Sequence, residues 1–344
     1  MLETLKVGDV VAKRGELKKG WIKGYELNNG VRLDAPVLVM KGVEDGPTLL
    51  LTSTEHGIEI QGAFVIQTIM NKNLDPKKLR GTVIGIPVMN PSGFMAGRYD
   101  SWVDHRHISS VRADRPNGTA SETLAYNLWE EAISKADIWI NKHCNFRPDS
   151  LLYCSVNVAD PTTREDNIKM AECFDYTTFY SERPFREDPN RTPTYGYLGE
   201  KKRIPRILVE YIDGRHISDP SQSTGVRGTL NVMKYFKMID GEIEPQTADY
   251  VKVPGINRGA GMIRPRRGGL VNILKKPGEL IKDGETVAEV YNLHGDLLEE
   301  LKLPFEGEGY VWAYPCGDFE NTGDVLQTVS TGCGFAFTFR NVTN

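Results

Sequence analysis

His56 and Glu59 stand three residues apart in His56-Gly57-Ile58-Glu59, directly behind the apolar run of residues 47–54. That spacing lets an imidazole and a carboxylate reach one ion from a strand-to-helix turn, with Gly57 allowing tight backbone geometry. His143, far along the chain at the end of another apolar run, would add a second nitrogen. Two histidines, one glutamate and an open position form a catalytic zinc arrangement, unlike the closed four-ligand structural kind. A single H-x-x-E arises easily by chance, and a lone histidine at a strand end is usually a hydrogen-bonded structural residue. The weight lies in the joint placement.

That placement depends on the elements between these residues. Residues 47–54 read as a buried strand, and residues 58–74 repeat apolar positions at helical spacing. A second buried strand, GTVIGIPVMN, runs into a long polar loop over residues 91–118. Thr119-Ala120-Ser121-Glu122 fits a capping box ahead of an amphipathic helix, and the short strand DIWIN follows. Residues 147–203 read as mostly loop, with one helix near 163–173. RILVEY regains strand character, and residues 221–239 read as a closing helix. The expected fold is α/β, a mixed, largely parallel sheet flanked by helices, preceded by antiparallel strands over residues 1–45. His56, Glu59, Arg98, His143 and Glu210 all fall just past strand ends, the edge where an open parallel sheet binds ligands.

After about residue 245 helical periodicity vanishes and short strands alternate with Gly, Asp-Gly and Pro-Gly turns. Residues 1–245 are read as the α/β catalytic domain and residues 246–344 as a small all-β domain. KPGELIKDGETVAEV and NTGDVLQTV form a weak internal echo within it.

The 344 residues suffice for a sizeable core, and 40% hydrophobic with 26% charged residues describes an ordinary globular chain. A formal net charge of -4 gives no basic field, which argues against nucleic acid as a partner. The N-terminus lacks a signal-peptide layout and no run of about 18 apolar residues occurs, so a cytoplasmic location without membrane contact is expected. The five cysteines, Cys144, Cys154, Cys173, Cys316 and Cys333, are scattered and never form C-x-x-C, which indicates reduced, mostly buried thiols. Self-association is compatible with a chain of this size carrying a β appendage, though no stretch marks it.

GPTLLLTSTEHGIEIQG, LRGTVIGIPVMNPSGFMAGRYD, ADIWINKH and PRILVEY, in that order, resemble the succinylglutamate desuccinylase/aspartoacylase family of the zinc carboxypeptidase superfamily. The resemblance covers roughly residues 40–240, and the trailing β segment, barrel-sandwich-like, fits that family's extra C-terminal domain. It implies one zinc per chain held by His56, Glu59 and His143, Glu210 as general base, and Arg98 beside the scissile carbonyl. The implied activity is hydrolysis of an acyl group, acetyl, succinyl or similar, from the nitrogen of a small amine or amino acid.

The family's Asp-Leu-Asn-Arg segment, whose Asn and Arg grip a substrate carboxylate, is replaced here by Asp104-His105-Arg106-His107. Arg106, or Arg112 and Arg115 further on, are the replacements on offer, since a guanidinium fork suits a carboxylate. His107 and Asn90 complete the candidate substrate contacts. Asn141 stands where members carry an acid two residues before the histidine, which leaves the tuning of His143 open. His216 and His294 read as structural. Two further readings remain: a carboxypeptidase-like peptidase acting on short peptides, and a non-catalytic binding or regulatory member favoured by the altered 104–107 segment. No G-x-S-x-G occurs, so a serine hydrolase is not supported.

Overall fold

The structure is a computed structural model and describes residues 3–145, 150–212, 214–314 and 328–342. In chain order the strands are β1 (Thr4–Val7), β2 (Val10–Lys13), β3 (Glu16–Glu26), β4 (Arg32–Lys41), β5 (Glu44–Ser53), β6 (Arg80–Ile86), β7 (Ile138–Cys144), β8 (Tyr153–Asn157), β9 (Thr177–Ser181) and β10 (Arg206–Tyr211). The C-terminal third adds β11 (Asn257–Ile263), β12 (Gly269–Ile273), β13 (Ala288–Tyr291), β14 (Leu297–Leu301), β15 (Tyr310–Ala313), β16 (Thr328–Val329) and β17 (Ala336–Asn341). The α-helices are α1 (Gln61–Thr68), α2 (Pro91–Ala96), α3 (Ala120–Glu131), α4 (Arg164–Phe174), α5 (Tyr195–Lys201) and α6 (Ser221–Tyr235).

One large mixed sheet runs β15-β17-β11-β9-β8-β10-β7-β5-β6-β4-β3. The α/β expectation holds, and its central strands β6, β5, β7 and β10 are mutually parallel. These strands read as continuous apolar runs because both faces are covered. One face packs under α1, α4 and α6 with Val65, Met170, Phe174 and Val232. The other packs under α3 and the N-terminal strands with Val37, Leu50, Leu124 and Trp139. The capping box forms as read: the Thr119 hydroxyl accepts from the Glu122 amide, and the Glu122 carboxylate accepts from the Thr119 amide.

Residues 147–203 depart from the sequence reading. Besides α4, the described part contains β8, β9 and α5. These strands are five residues long, and alternate positions of β8 are only half-buried, so neither presents a long apolar run. They carry the sheet onward: β8 pairs antiparallel with β10, and β9 pairs parallel with β8.

Sheet pairing also crosses the division read at residues 245 and 246. β11 touches β9 through Asn257 and Phe179, and β17 and β15 extend the sheet from β11. The remaining C-terminal strands form a separate four-stranded antiparallel sheet, β14-β13-β12-β16, over a core of Val271, Ile281, Val290 and Phe335. A small aromatic cluster seals the join. Phe179 lies edge-on to Phe339 at 4.9 Å and to Tyr153 at 5.1 Å, and 4.6 Å from Trp312 between ring centroids. Aromatic pairs of this kind each contribute about 0.5–1.5 kcal/mol beyond the area they bury. Cys144, Cys154 and Cys173 are buried and unpaired, Cys333 is exposed, and Cys316 lies outside the described residues, as does most of the NTGDVLQTV echo.

Candidate active site

Strand register assembles the site. Glu210 of β10 lies opposite His143 of β7 on one side and opposite Tyr153 of β8 on the other. Residues at the same level of neighbouring strands point to the same face, so the three side chains form a row across the sheet. β5 ends at Ser53 beside Lys142, and the chain then turns away through Thr54, whose φ of 53 is left-handed. A β-branched residue rarely adopts that conformation. The Thr54 hydroxyl donates to the Glu59 carbonyl at 3.0 Å, which folds the loop onto itself and brings His56 and Glu59 back over the strand end. Gly57 serves by close approach: a Cβ there would fall 2.0 Å from the Gly93 carbonyl carbon. The loop therefore lies directly on the backbone of α2.

The Glu59 carboxylate sits between the two imidazoles, with His56 Nδ1 2.7 Å from one oxygen and His143 Nδ1 3.0 Å from the other. Nitrogens of two remote segments thus converge on one carboxylate. Burial pushes Glu59 upward, but the two imidazoles outweigh it and hold the carboxyl down at about 2. For His143 burial favours the neutral ring, yet Glu59 and Glu55 prevail and raise its pKa to about 10. Burial raises the Glu210 carboxyl to about 8; His143 opposes that rise and Glu59 adds to it.

The sequence reading passed over Glu55, which is buried beside this cluster. Its Oε2 lies 3.3 Å from Asn141 Nδ2, and that amide nitrogen lies 2.9 Å from His143 Nε2. Thr52 Oγ1 donates to Asn141 Oδ1 at 2.7 Å, fixing the amide from behind. A carboxylate thus stands one amide away from His143, although residue 141 itself carries no charge. Glu55, His56 and His143 each offer a donor atom, all within 4.8 Å of one another, so this group could hold a metal ion. The donor set fits a cation chemically: three carboxylates, Glu55, Glu59 and Glu210, surround two imidazoles whose nitrogens face the Glu59 oxygens. Such crowding of buried negative charge is what a divalent ion relieves.

A cavity of about 350 Å³ is lined by His56, Glu59 and Glu210 together with Trp312, Tyr314 and Phe337 of the C-terminal strands and their flank. His107 lines it and meets the Tyr99 ring at 4.9 Å, while Tyr99 stacks on His56 at 3.7 Å and 11°. Tyr153 stands opposite Glu210 across the strands, and its hydroxyl holds the Glu210 carboxyl lower than burial alone would. Tyr99 and Trp312 carried no signal in the sequence, and Tyr153 was hidden in the stretch read as loop.

Arg98, Arg106, Arg112 and Asn90 are not among the described residues lining this cavity. Arg98 Nε donates to Asp100 at 3.2 Å. Arg112 forms a two-pronged pair with Asp114 at 2.8 and 2.6 Å, and Arg106 is exposed. Asn90 caps α2, its Oδ1 accepting from the Gly93 amide and the Ser92 hydroxyl, both at 2.9 Å. Asp104 holds the start of α3 through the Ser121 amide and hydroxyl, at 2.8 and 2.7 Å.

No family model matches the chain. It is 23% identical over 301 residues, 86% of its length and 85% of the relative's, to the N-alpha-acetyl-L-2,4-diaminobutyric acid deacetylase of Halomonas elongata. Among solved structures, the succinylglutamate desuccinylase/aspartoacylase of Rhodobacter sphaeroides superposes with a TM-score of 0.81 at 23% identity, covering 98% of this chain and 99% of that one. The product-bound ectoine utilization protein EutE (DoeB) of Ruegeria pomeroyi gives 0.80 at 18% identity, covering 98% of both. An aspartoacylase family protein of Mesorhizobium loti gives 0.74 at 16% identity, covering 95% of this chain and 96% of that one. The resemblance read from the strand-end residues therefore holds, and the chain carries the fold of the succinylglutamate desuccinylase/aspartoacylase structures along nearly its whole length.

Proposed function

We propose that this chain is a zinc-dependent amide hydrolase that removes an acyl group from the nitrogen of a small amine or amino acid. The observation that carries the reading is the register of β7 and β10, which sets Glu210 beside His143 while Glu59 joins His143 to His56. The Halomonas relative, a deacetylase acting on an N-acetylated diamino acid, supports the reaction class.

His56, Glu59 and His143 would hold the metal, with Glu55 backing His143 through Asn141. A divalent zinc bound there supplies Lewis acidity, making water a better nucleophile and the carbonyl a better electrophile. Glu210, more basic than an ordinary carboxylate, accepts a proton from the attacking water and delivers it to the nitrogen as the carbon–nitrogen bond breaks. Carboxylic acid and amine leave, and no covalent enzyme intermediate is needed. Tyr153, opposite Glu210 in the strand register, stabilises its carboxylate form. Arg98 is assigned to the developing oxyanion, which requires its guanidinium to share itself between Asp100 and substrate. Trp312 and Phe337 help bound a cavity of about 350 Å³, which suits a small substrate better than an extended peptide.

Amine release from a panel of N-acetyl and N-succinyl compounds, with and without chelator, tests this. Activity lost on chelation and restored by zinc is expected. A metal-loaded protein inert across a broad panel would refute the assignment.

A further inference from the structure

β8 and β10 lie in the middle of the large sheet, yet one of their faces is left half open. Cys154, Val156, Ile207 and Val209 are buried on the closed face, whereas Tyr153, Ser155, Asn157, Arg206, Leu208 and Glu210 on the other are only half-buried. An antiparallel pair can leave a face to solvent, but this face starts at the catalytic row. Glu210 stands opposite Tyr153, Leu208 opposite Ser155 one level on, and Arg206 follows two residues further along β10.

Two more cavities, of about 320 and 270 Å³, lie along this face. They share Ser155, Ser181 and Leu208 with each other, and the smaller shares Tyr153, Glu210 and Trp312 with the catalytic cavity. Together they make one groove leading away from Glu210.

Its far end is lined by Arg183 and Arg206. Arg206 gives part of its fork to Glu200 at 2.6 Å and to the Gly196 carbonyl at 3.1 Å. The Arg183 backbone is pinned to the groove: its carbonyl accepts from Asn157 Nδ2 at 2.9 Å and its amide donates to Ser181 Oγ at 3.4 Å. Its guanidinium has no ion pair among the described residues, so two cations stand there against the single carboxylate of Glu200. A guanidinium fork matches the oxygens of a carboxylate or a phosphate, and the Ser155 hydroxyl along the way suits a polar chain. A strand rises about 3.3 Å per residue, which puts the Arg206 backbone about 13 Å from that of Glu210. A ligand touching both ends is therefore a slender chain.

We infer that this groove is a substrate subsite that takes one half of the substrate lengthwise and holds a carboxylate or phosphate at its far end through Arg183 and Arg206. This rests on the proposed amide hydrolysis and names its substrate class, acylated chains with an anionic end. The subsite is built on β8, β9 and β10 and owes nothing to the altered 104–107 segment.

Two chain-length series test it on the zinc-loaded protein: N-acetyl derivatives of glycine, 4-aminobutanoate and 6-aminohexanoate, and N-succinyl, N-glutaryl and N-adipoyl butylamine, each beside its terminal amide. In one series the anion should gain over its amide as the chain lengthens, reaching about tenfold in kcat/KM. N-acetyl-4-aminobutyl phosphate against N-acetyl-4-aminobutanol extends the comparison; a gain for either anion upholds the inference, and the larger gain names the group. Arg183→Gln should bring the ratio close to one through KM, and Arg183→Lys should keep part of it, both with unchanged melting behaviour. The substitution is made at Arg183 because Arg206→Gln would also strand Glu200. No anionic gain in any comparison, or one that Arg183→Gln leaves intact, overturns the inference. Should nothing be cleaved, amide hydrolysis itself fails, and calorimetry with 6-acetamidohexanoate and 6-acetamidohexanamide reads the groove alone. Tighter binding of the anion, lost in Arg183→Gln, upholds the inference; a preference that survives the substitution, equal or tighter binding of the amide, or no binding of either, overturns it.

Discussion

Glu59, buried, and Glu210, half-buried, are carboxylates of one site, yet their surroundings drive them apart. Glu59 touches two imidazoles and stays ionised, whereas Glu210 has one tyrosine hydroxyl and two acids nearby and holds its proton more tightly. Carboxylates separated in this way divide the labour of ligand and base. Glu210→Gln should therefore lower kcat by on the order of 10²–10⁴-fold while leaving bound metal unchanged, as read by steady-state kinetics beside elemental analysis. Glu55→Gln should act differently, weakening metal affinity about tenfold through Asn141 and His143, measurable by competition with a chromogenic chelator. His56, Glu59, His143 and Glu210 were legible because each follows an apolar run. Glu55 was not, although it precedes His56 directly, since its meaning depends on the amide of Asn141, 86 residues away. Arg106 and Arg112 were plausible by type, but nearby acids and solvent decide where a guanidinium goes.

At the scale of elements, β7 delivers His143 to one face of the sheet and Lys142 to the other. Lys142 is fully buried, its ammonium 2.8 Å from Thr229 Oγ1 and 5.3 Å from the centroid of the Phe174 ring, with no carboxylate paired to it among the described residues. Burial lowers its pKa to about 7 from the ordinary 10.5. Between those values the unfolded chain binds more protons than the folded one, so stability should rise with pH across that window, by up to about 1.4 kcal/mol per unit. Lys142→Met should flatten that slope and raise the Tm at neutral pH, as read by thermal melts from pH 7 to 10. At the start of α3, Thr119→Ala should cost about 1 kcal/mol in denaturant unfolding, since it removes an acceptor for the Glu122 amide. The capping box and the central strands were readable from local pattern alone. β8 and β9 were not, because strands of five residues owe their existence to the neighbours they pair with.

Across the whole molecule, the C-terminal third is both a separate small sheet and an extension of the large one. The change in texture near residue 245 was visible in the sequence, but the pairing of β11 with β9 was not, since a single aligned residue pair makes that junction. Removing residues 246–344 would uncover Leu151 and Phe179 and strip Trp312 and Phe337 from the cavity. The shortened chain should melt at lower temperature and lose catalysis even with metal supplied, by differential scanning fluorimetry and assay. No described helix is long and apolar enough to cross a membrane.

All of this depends on His56, Glu59 and His143 meeting at one cation, and metal stoichiometry measures that most directly. Plasma mass spectrometry on protein dialysed against trace zinc should give about one ion per chain in the native protein and in Glu210→Gln, and almost none in His143→Ala. Zinc retained in full by a folded His143→Ala variant, or absent from the native protein, would contradict it.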